Sequence, residues 1–260
     1  MCIRDRFERR GPKLSLTEHG RLLAQELKVG FKIIENACAL LRQDRYGLRL
    51  KAPSTLTVRW LLRALDAFKK VEDNCSVQLS SVWMDIDSVD FYSEPYDCAI
   101  LLASGRFPAD IESFKLFDEW LIPVCHPDYM TQAQPQLSDL PRCEFLHPSP
   151  DRRDWRRWLA RMDALDISID QGQVFDTLDQ GISAAQQGLG ISVVDLVLAS
   201  TDLAAGRLVT PFKHAVATGD GYYMTWLKAS PKARQMHKLR DFLLGQVPPL
   251  AYKDINYLYG

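Results

Sequence analysis

Along residues 17–43 the apolar side chains recur at intervals of three and four residues, the spacing of one face of an α-helix. The positions on this face are Leu23, Leu27, Phe31, Ile34, Cys38 and Leu41. We predict a helix capped by Thr17 that continues for about 27 residues, or roughly 40 Å. The spacing is that of a coiled-coil seam, so we interpret the segment as a dimerisation helix. An amphipathic helix packed on its own domain is the alternative.

From Leu48 onward, short apolar runs typical of strands alternate with segments of helical spacing. The predicted strands cover residues 48–53, 76–83, 97–103, 114–127 (two strands around Asp118-Glu119), 171–175, 191–194 and 222–228. The predicted helices cover residues 57–71, 152–162, 177–188 and 231–246. This alternation predicts an α/β fold with parallel or mixed sheets and helices on both faces. No element is predicted for the tail over residues 247–260.

The composition is that of a globular protein, with 47% hydrophobic and 25% charged residues among 260. The net charge of −1 argues against a uniformly basic protein, although residues 1–14 hold five Arg or Lys against two acids. The six cysteines form no C-x-x-C pair and show no metal-ligand spacing with the histidines, which indicates a reducing compartment. Neither a signal peptide nor an apolar run of roughly 20 residues is recognisable. We therefore predict a cytoplasmic protein without metal, cofactor or membrane partner.

The stretch FERRGPKLSLTEHG at residues 7–20 combines a basic turn, an alternating apolar segment and a helix start at Thr17-Glu18. It resembles the wing and linker-helix junction of LysR-type transcriptional regulators. In that family a helix-turn-helix precedes this point, whereas only residues 1–6 precede it here. The resemblance implies that residues 1–16 are the remnant of a winged helix-turn-helix and residues 17–43 the linker or dimerisation helix. Most of the domain that reads DNA would then be missing from this chain.

The resemblance covers nearly the whole chain and looks like the branch that contains glycine-cleavage activators and β-lactamase regulators. The matching segments, in order, are PSTLTVRWLLRAL (53–65), LFDEWLIPVCHP (116–127), VFDTLDQGISAAQQGLGISVV (174–194), LAAGRLVTPF (203–212) and GYYMTWLK (221–228). The resemblance implies a periplasmic-binding-protein-like effector domain of two α/β lobes over residues 48–247. Lobe one would comprise residues 48–121 and 222–247, and lobe two residues 122–221.

Two predicted helices begin with hydroxyl-bearing residues directly after a strand, at Ser54, Thr55 and Thr57 and again at Asp176 and Thr177. Ligands of open α/β sheets bind beyond the carboxyl ends of strands, and a helix N-terminus attracts a carboxylate or phosphate. We predict that both helix starts face a cleft and bind a small effector, although helix capping explains the same hydroxyls. Asp176 would repel a carboxylate but accept an ammonium. The expected effector is therefore anionic, or resembles an amino acid or peptide.

The LysR resemblance favours Thr55 and Thr177 as effector contacts and places Tyr222, at the second crossing between the lobes, in the same cleft. A strand-end tyrosine in the core is the alternative for Tyr222. Trp83, at the end of a predicted strand, would line the cleft or cover the sheet edge. Leu101 departs from the branch, which often carries an arginine there, and this leaves the charge of the effector open.

No enzymatic motif such as G-x-S-x-G, a P-loop or H-E-x-x-H is found, and no catalytic constellation is predicted. We predict an effector-controlled LysR-type regulator that forms a homodimer or tetramer. Arg9, Arg10 and Lys13 would contact the DNA backbone, weakly and in a salt-dependent manner when the recognition helix is missing. The alternatives are a solute-binding protein of the same two-lobed fold and a stand-alone effector-sensing dimerisation module.

Overall fold

The N-terminal part of the protein is a β-hairpin followed by one long helix. The structure, a computed structural model, describes residues 6–10, 13–42, 47–72, 75–82, 88–131, 135–250 and 252–259. The hairpin consists of β1 (Phe7–Arg10) and β2 (Lys13–Leu16), and helix α1 (Glu18–Arg42) follows it. Thr17 caps this helix, because its Oγ1 accepts a hydrogen bond from the backbone N of Gly20 at 3.1 Å. The predicted long helix is therefore present.

One mixed sheet contains nine of the strands in the described ranges. These strands are β3 (Gly47–Pro53), β4 (Ser76–Val82), β5 (Cys98–Ala103), β6 (Ile111–Val124), β7 (Phe145–His147), β8 (Gln173–Val174), β9 (Ile191–Asp195), β10 (His214–Leu227) and β11 (Asn256–Leu258). Their order is β4-β3-β5-β10-β6-β9-β7-β8, with β11 paired to β10. The pairs of β3 with β4 and β5, and of β7 with β8 and β9, are parallel. β10 runs antiparallel to β5 and β6, which agrees with the predicted mixed sheet.

The first helix after β3 begins three residues earlier than predicted. It starts as α2 (Ser54–Leu56), passes through a π-helical turn (Thr57–Leu61) and continues as α3 (Leu62–Val71). Leu56 is fully buried with Trp60 and Leu61 in the core, so the apolar face extends one turn toward Pro53. The predicted start at residue 57 is wrong, and Thr57 lies inside the helix.

Four further α-helices lie in the described part of the chain. They are α4 (Arg153–Arg161), α5 (Leu178–Gln186), α6 (Leu196–Ala204) and α7 (Ala233–Leu244). Three of them match predicted helices, whereas α6 was not predicted. Its sequence LVLASTDLA is apolar on nearly all sides, because the helix is buried between neighbouring elements, and such a segment shows no helical periodicity.

The segment predicted as two strands around residues 118 and 119 is a single 14-residue strand, β6. Asp118 points to solvent and pairs with Lys115 at 2.7 Å, while Glu119 points inward, as alternation along one strand requires. Two register shifts occur where β6 pairs with β10. One lies between Ala217 and Gly221 of β10, and the other lies between Tyr222 and Tyr223, which pair with Phe117 and Lys115 of β6. The second shift passes over Leu116, so β6 is one continuous strand with an irregularity at that residue.

Helices pack against the sheet in two separate regions, which are the two lobes of the fold. One core packs α2, α3 and α7 against β3–β5, and the other core, in two clusters, packs α4 and α5 against β6, β7 and β9. β6 and β10 pass through both: Phe117 and Tyr222 belong to the first core, whereas Ile122 and Ala215 belong to the second. The proposed lobe boundaries near residues 121 and 221 stay a prediction. Among the described helices, none has the length and apolarity to cross a bilayer.

The tail, for which no element was predicted, returns to the second core. Its strand β11 pairs with the beginning of β10, and Ile255 is buried there. Tyr257 packs its ring edge-on against Trp120, with the ring centroids 5.1 Å apart. Because α7 belongs to the first core, the tail is a further connection between the lobes, besides β6 and β10.

Candidate functional site

A cavity of about 350 Å³ lies where the starts of two helices meet the central strands. The start of α2 contributes residues 53–56, and the start of α5 contributes residues 176–178. The opposite wall consists of residues 148–151 with Arg153 and Asp154, and of side chains from β6 and β10. The cavity therefore lies between elements of both lobes, beyond the ends of strands β3 and β8.

Five of the seven predicted effector contacts line this one cavity: Ser54, Thr55, Asp176, Thr177 and Tyr222. Thr57 is not among them, since it is buried within the π-helical turn. Trp83 lies outside the described residues. Leu101 is buried beside Ala99 on β5 and does not reach the cavity. Sequence positions 54 and 177, more than a hundred residues apart, are thus brought to one site.

Thr177 caps its own helix while it lines the cavity. Its Oγ1 accepts a hydrogen bond from the backbone N of Gln180 at 3.3 Å. The Gln180 side chain reaches back, and its Oε1 accepts from the backbone N of Asp176 at 3.1 Å. This reciprocal arrangement fixes the start of α5. Thr177 therefore caps its own helix, which is the alternative role given above for its hydroxyl.

Thr55 caps a helix of the other lobe rather than its own. Its Oγ1 accepts a hydrogen bond from the backbone N of Asp179, in the first turn of α5, at 3.1 Å. A side chain at the start of α2 thus uses one of the unpaired N–H groups that every helix N-terminus carries. The hydroxyl of Thr55 consequently joins the two lobes at the edge of the cavity.

We expect Thr55→Val to lower the free energy of unfolding by about 1 kcal/mol, because the N–H of Asp179 loses its acceptor. Thr57→Val is the matched control. Its buried Oγ1 has no hydrogen-bond partner among the described residues, so removal of this hydroxyl should leave stability unchanged or raise it. Urea denaturation of both variants measures the difference. Equal losses for both would show that the contact between Thr55 and Asp179 contributes nothing.

Arg59 makes a second connection between the lobes, which the sequence analysis did not identify. From the π-helical turn its Nε donates to Oδ1 of Asp179, and its Nη1 to Oδ2 of Asp202, each at 2.5 Å. A third bond runs from Nη2 to Oγ of Ser183 at 3.3 Å. The guanidinium thus joins the helix after β3 to both α5 and α6. In the sequence, Arg59 differs from its neighbours only as a charged residue within the mostly apolar run TVRWLL.

Three carboxyl groups are buried near the hydroxyl of Tyr222: Glu119, Asp154 and Asp195. Burial, and then these neighbouring carboxyls, raise the pKa of Tyr222 well above its usual value, so its hydroxyl keeps its proton. Burial also raises the pKa of Glu119 to about 8 and that of Asp195 to about 7. Glu119 and Asp154 line the cavity, whereas Asp195 lies behind it.

None of these three acids was among the predicted site residues, although the sequence around Glu119 indicates a buried carboxyl. An acid pair, Asp118-Glu119, interrupts an apolar run that predicts a buried strand. The pattern alone does not say which member of the pair points inward. Asp154 has no comparable signal, since it lies among the charged residues of RRDWRRW.

The ionisable side chains around the cavity are mainly acids. The described lining residues include four acids, Glu119, Asp151, Asp154 and Asp176, and one basic residue, Arg153. The N-terminus of α5, beside Asp176, supplies a partial positive charge. A ligand with one positive and one negative end would match this distribution. The fold and the cavity together define the class, a two-lobed α/β protein with a cavity between its lobes.

Comparisons with known proteins identify the class. The family model for the LysR substrate binding domain matches residues 42–248. The glycine cleavage system transcriptional activator of Escherichia coli K12 is 26% identical over 244 residues, covering 92% of this chain and 78% of that protein. The HTH-type transcriptional regulator BlaA of Proteus vulgaris is 26% identical, covering 96% of this chain and 82% of that protein.

Solved structures of regulators show the same fold. The effector domain of the regulator AmpR of Pseudomonas aeruginosa has a TM-score of 0.64 and 27% identity, covering 78% of this chain and 96% of that one. The full-length virulence activator AphB of Vibrio cholerae has a TM-score of 0.61 at 19% identity, covering 93% of this chain and 84% of that one. The chain belongs to the LysR family of transcriptional regulators. The regulator prediction is confirmed, and the protein is not an enzyme.

Proposed function

We propose that this regulator senses a small effector in the cavity between its lobes. The observation that carries the proposal is the convergence of both helix starts and Tyr222 on one cavity of about 350 Å³. That volume lies within the usual range of small-molecule sites, roughly 300–1,000 Å³. Ser54, Thr55, Asp176, Thr177 and Tyr222 would contact the effector.

The effector we propose is amino-acid-like or peptide-like rather than purely anionic. Its carboxylate would lie at the N-terminus of α5, where backbone N–H groups and the helix dipole favour a negative charge. Its positive end would lie toward the acids of the opposite wall. A purely anionic effector would lie among four acidic side chains, which disfavour a second negative group.

Binding would be transmitted through the contacts that join the lobes. Thr55 and Arg59 both bond to the first turn of α5, whose start lines the cavity. An effector between the lobes would change how these elements meet. It shifts the balance between lobe arrangements only if it binds one of them more tightly.

The N-terminal part supports a proposed role in dimerisation and DNA binding. Leu27, Phe31 and Ile34 of α1 are exposed, Leu23 is half-buried, and the Leu41 side chain lies outside what the structure describes. We propose that this face packs on a second copy of the chain, and sedimentation that finds only monomers would contradict it. Arg9, Arg10 and Lys13 lie on the β1–β2 hairpin, from which they would contact DNA phosphates.

The experiment is a titration of the full chain with the twenty L-amino acids, alanyl dipeptides and simple dicarboxylates. We expect at least one probe to bind, and Tyr222→Phe to weaken it about tenfold, the effect of one lost hydrogen bond of about 1.4 kcal/mol. Tyr223→Phe is the matched control, because the neighbouring side chain points to the other face of β10 and packs on Phe107. If Tyr222→Phe and Tyr223→Phe bind the probe with equal affinity, the binding site does not include the Tyr222 hydroxyl.

A further inference from the structure

We infer that Glu119 is the counter-ion for a primary ammonium group of the effector. The inference rests on the proposed function, since it assigns one end of a ligand to one end of the cavity. It names a specificity-determining residue and a chemical class, a free amino group, either of an amino acid or of a peptide N-terminus.

The Glu119 side chain is part of the cavity wall and is almost completely buried. The residue is only 4% exposed. Oε2 is buried and accepts no hydrogen bond from any residue that the structure describes. The nearest cation is Nη1 of Arg157 at 3.5 Å, and this guanidinium also pairs with Asp220 at 3.2 Å. The carboxylate therefore has unused capacity to accept hydrogen bonds.

The neighbouring acids already have partners. Oδ2 and Oδ1 of Asp195 accept hydrogen bonds from the backbone N of Trp120 and Leu198, at 3.1 and 3.0 Å. Asp154 pairs with Nε of Arg153 at 3.3 Å. Of the three buried carboxyls, Glu119 is thus the one with a buried oxygen that accepts no hydrogen bond from the residues that the structure describes.

Glu119 is protonated at neutral pH before any ligand binds. Burial, followed by the charges of Asp154 and Asp195, raises the pKa of Glu119 to about 8, against the lowering effect of the Thr218 hydroxyl and of Arg157. At neutral pH the side chain is therefore mostly a neutral acid. The remaining groups around it are Asp220, which shares Arg157, and the neutral hydroxyl of Tyr222.

Binding would exchange a proton for the ligand cation. The neutral carboxylic acid releases its proton to solvent, and the resulting carboxylate accepts hydrogen bonds from the –NH₃⁺ group. Charge balances, because one positive charge enters the cavity and one leaves it. A neutral amide such as an acetylated amine cannot take part in this exchange.

The test compares free and N-acetylated ligands by calorimetry on the full chain. The probes are the twenty L-amino acids and alanyl-alanine, each with its N-acetyl form, in phosphate and in Tris at pH 7. We expect acetylation to weaken binding at least tenfold. Binding of the free amine should release about one proton per ligand, and its affinity should rise about tenfold from pH 6 to pH 7.

Glu119→Gln should weaken binding of the free amine at least tenfold and abolish both the proton release and the pH dependence. Asp118→Asn is the matched control, because its carboxyl lies on the same strand but points to solvent. The proton release of the unmodified chain needs no variant, so the test does not depend on how Glu119→Gln folds. Selective binding of alanyl-alanine rather than single amino acids would identify a peptide N-terminus as the source of the amine.

Three outcomes would overturn the inference: acetylated and free forms that bind equally, binding without proton release, or a panel in which no amine-bearing probe binds. If acids without an amino group bind and Tyr222→Phe weakens them, the cavity is an effector site and only the ammonium assignment fails. If binding is insensitive to Tyr222→Phe as well, the proposed function fails with it.

Discussion

Replacement of Arg59 with alanine is expected to lower the free energy of unfolding by about 3 kcal/mol, the cost of removing one partner of a buried ion pair. The guanidinium is largely buried and pairs with Asp179 and Asp202, and the carboxyl of Asp202 is buried as well. Arg59→Ala leaves Asp202 with Arg207 as its remaining partner. Urea denaturation followed by far-ultraviolet circular dichroism measures the loss.

Arg63→Ala is the matched control, because Arg63 lies one turn further along the same helix and is exposed. Its replacement should change stability by less than about 0.5 kcal/mol. Arg59→Lys should recover only part of the loss, since an ammonium cannot form the forked bonds to Asp179 and Asp202 at once. Similar values for Arg59→Ala and Arg63→Ala would show that the contacts of the π-helical turn with α5 and α6 do not stabilise the fold.

Ile255→Ala is expected to cost about 3 kcal/mol, within the range measured for truncating buried isoleucine and leucine side chains. Ile255 is buried in the second core, in a tail that the sequence pattern did not assign to any element. The hydrogen bonds of β11 to β10 and the packing of Tyr257 on Trp120 hold the tail in place. Thermal and urea unfolding measure the effect.

Lys253→Ala provides the control for the tail, because the side chain is exposed and only two residues away. It should leave the midpoint of unfolding nearly unchanged. If Ile255→Ala behaves like Lys253→Ala, the tail does not contribute to the stability of the second core.

Much of the local structure followed from the sequence pattern. Helix α1, the strands β3, β4 and β5, and the capped start of α5 at Thr177 were all predicted within a few residues. Each depends on neighbours in sequence: a helical repeat, an apolar run or a hydroxyl before a helix. The missed elements, α6, β7 and β11, depend on distant partners. α6 is apolar on nearly all sides because it is buried, and β11 is a strand only because β10 lies beside it.

The sequence by itself determined the family, the α/β alternation and most hydroxyl-bearing residues of the cavity. The cavity hydroxyls could be predicted because helix caps and strand ends depend on local residue types. Only the tertiary structure decided which charges meet. Glu119, Asp154 and Asp195 come from three separate elements, and Arg59 meets acids more than a hundred residues away. Electrostatic energy depends on distance in space and on burial, and neither is encoded in any short segment. The polarity of the cavity therefore emerges only when the chain is folded.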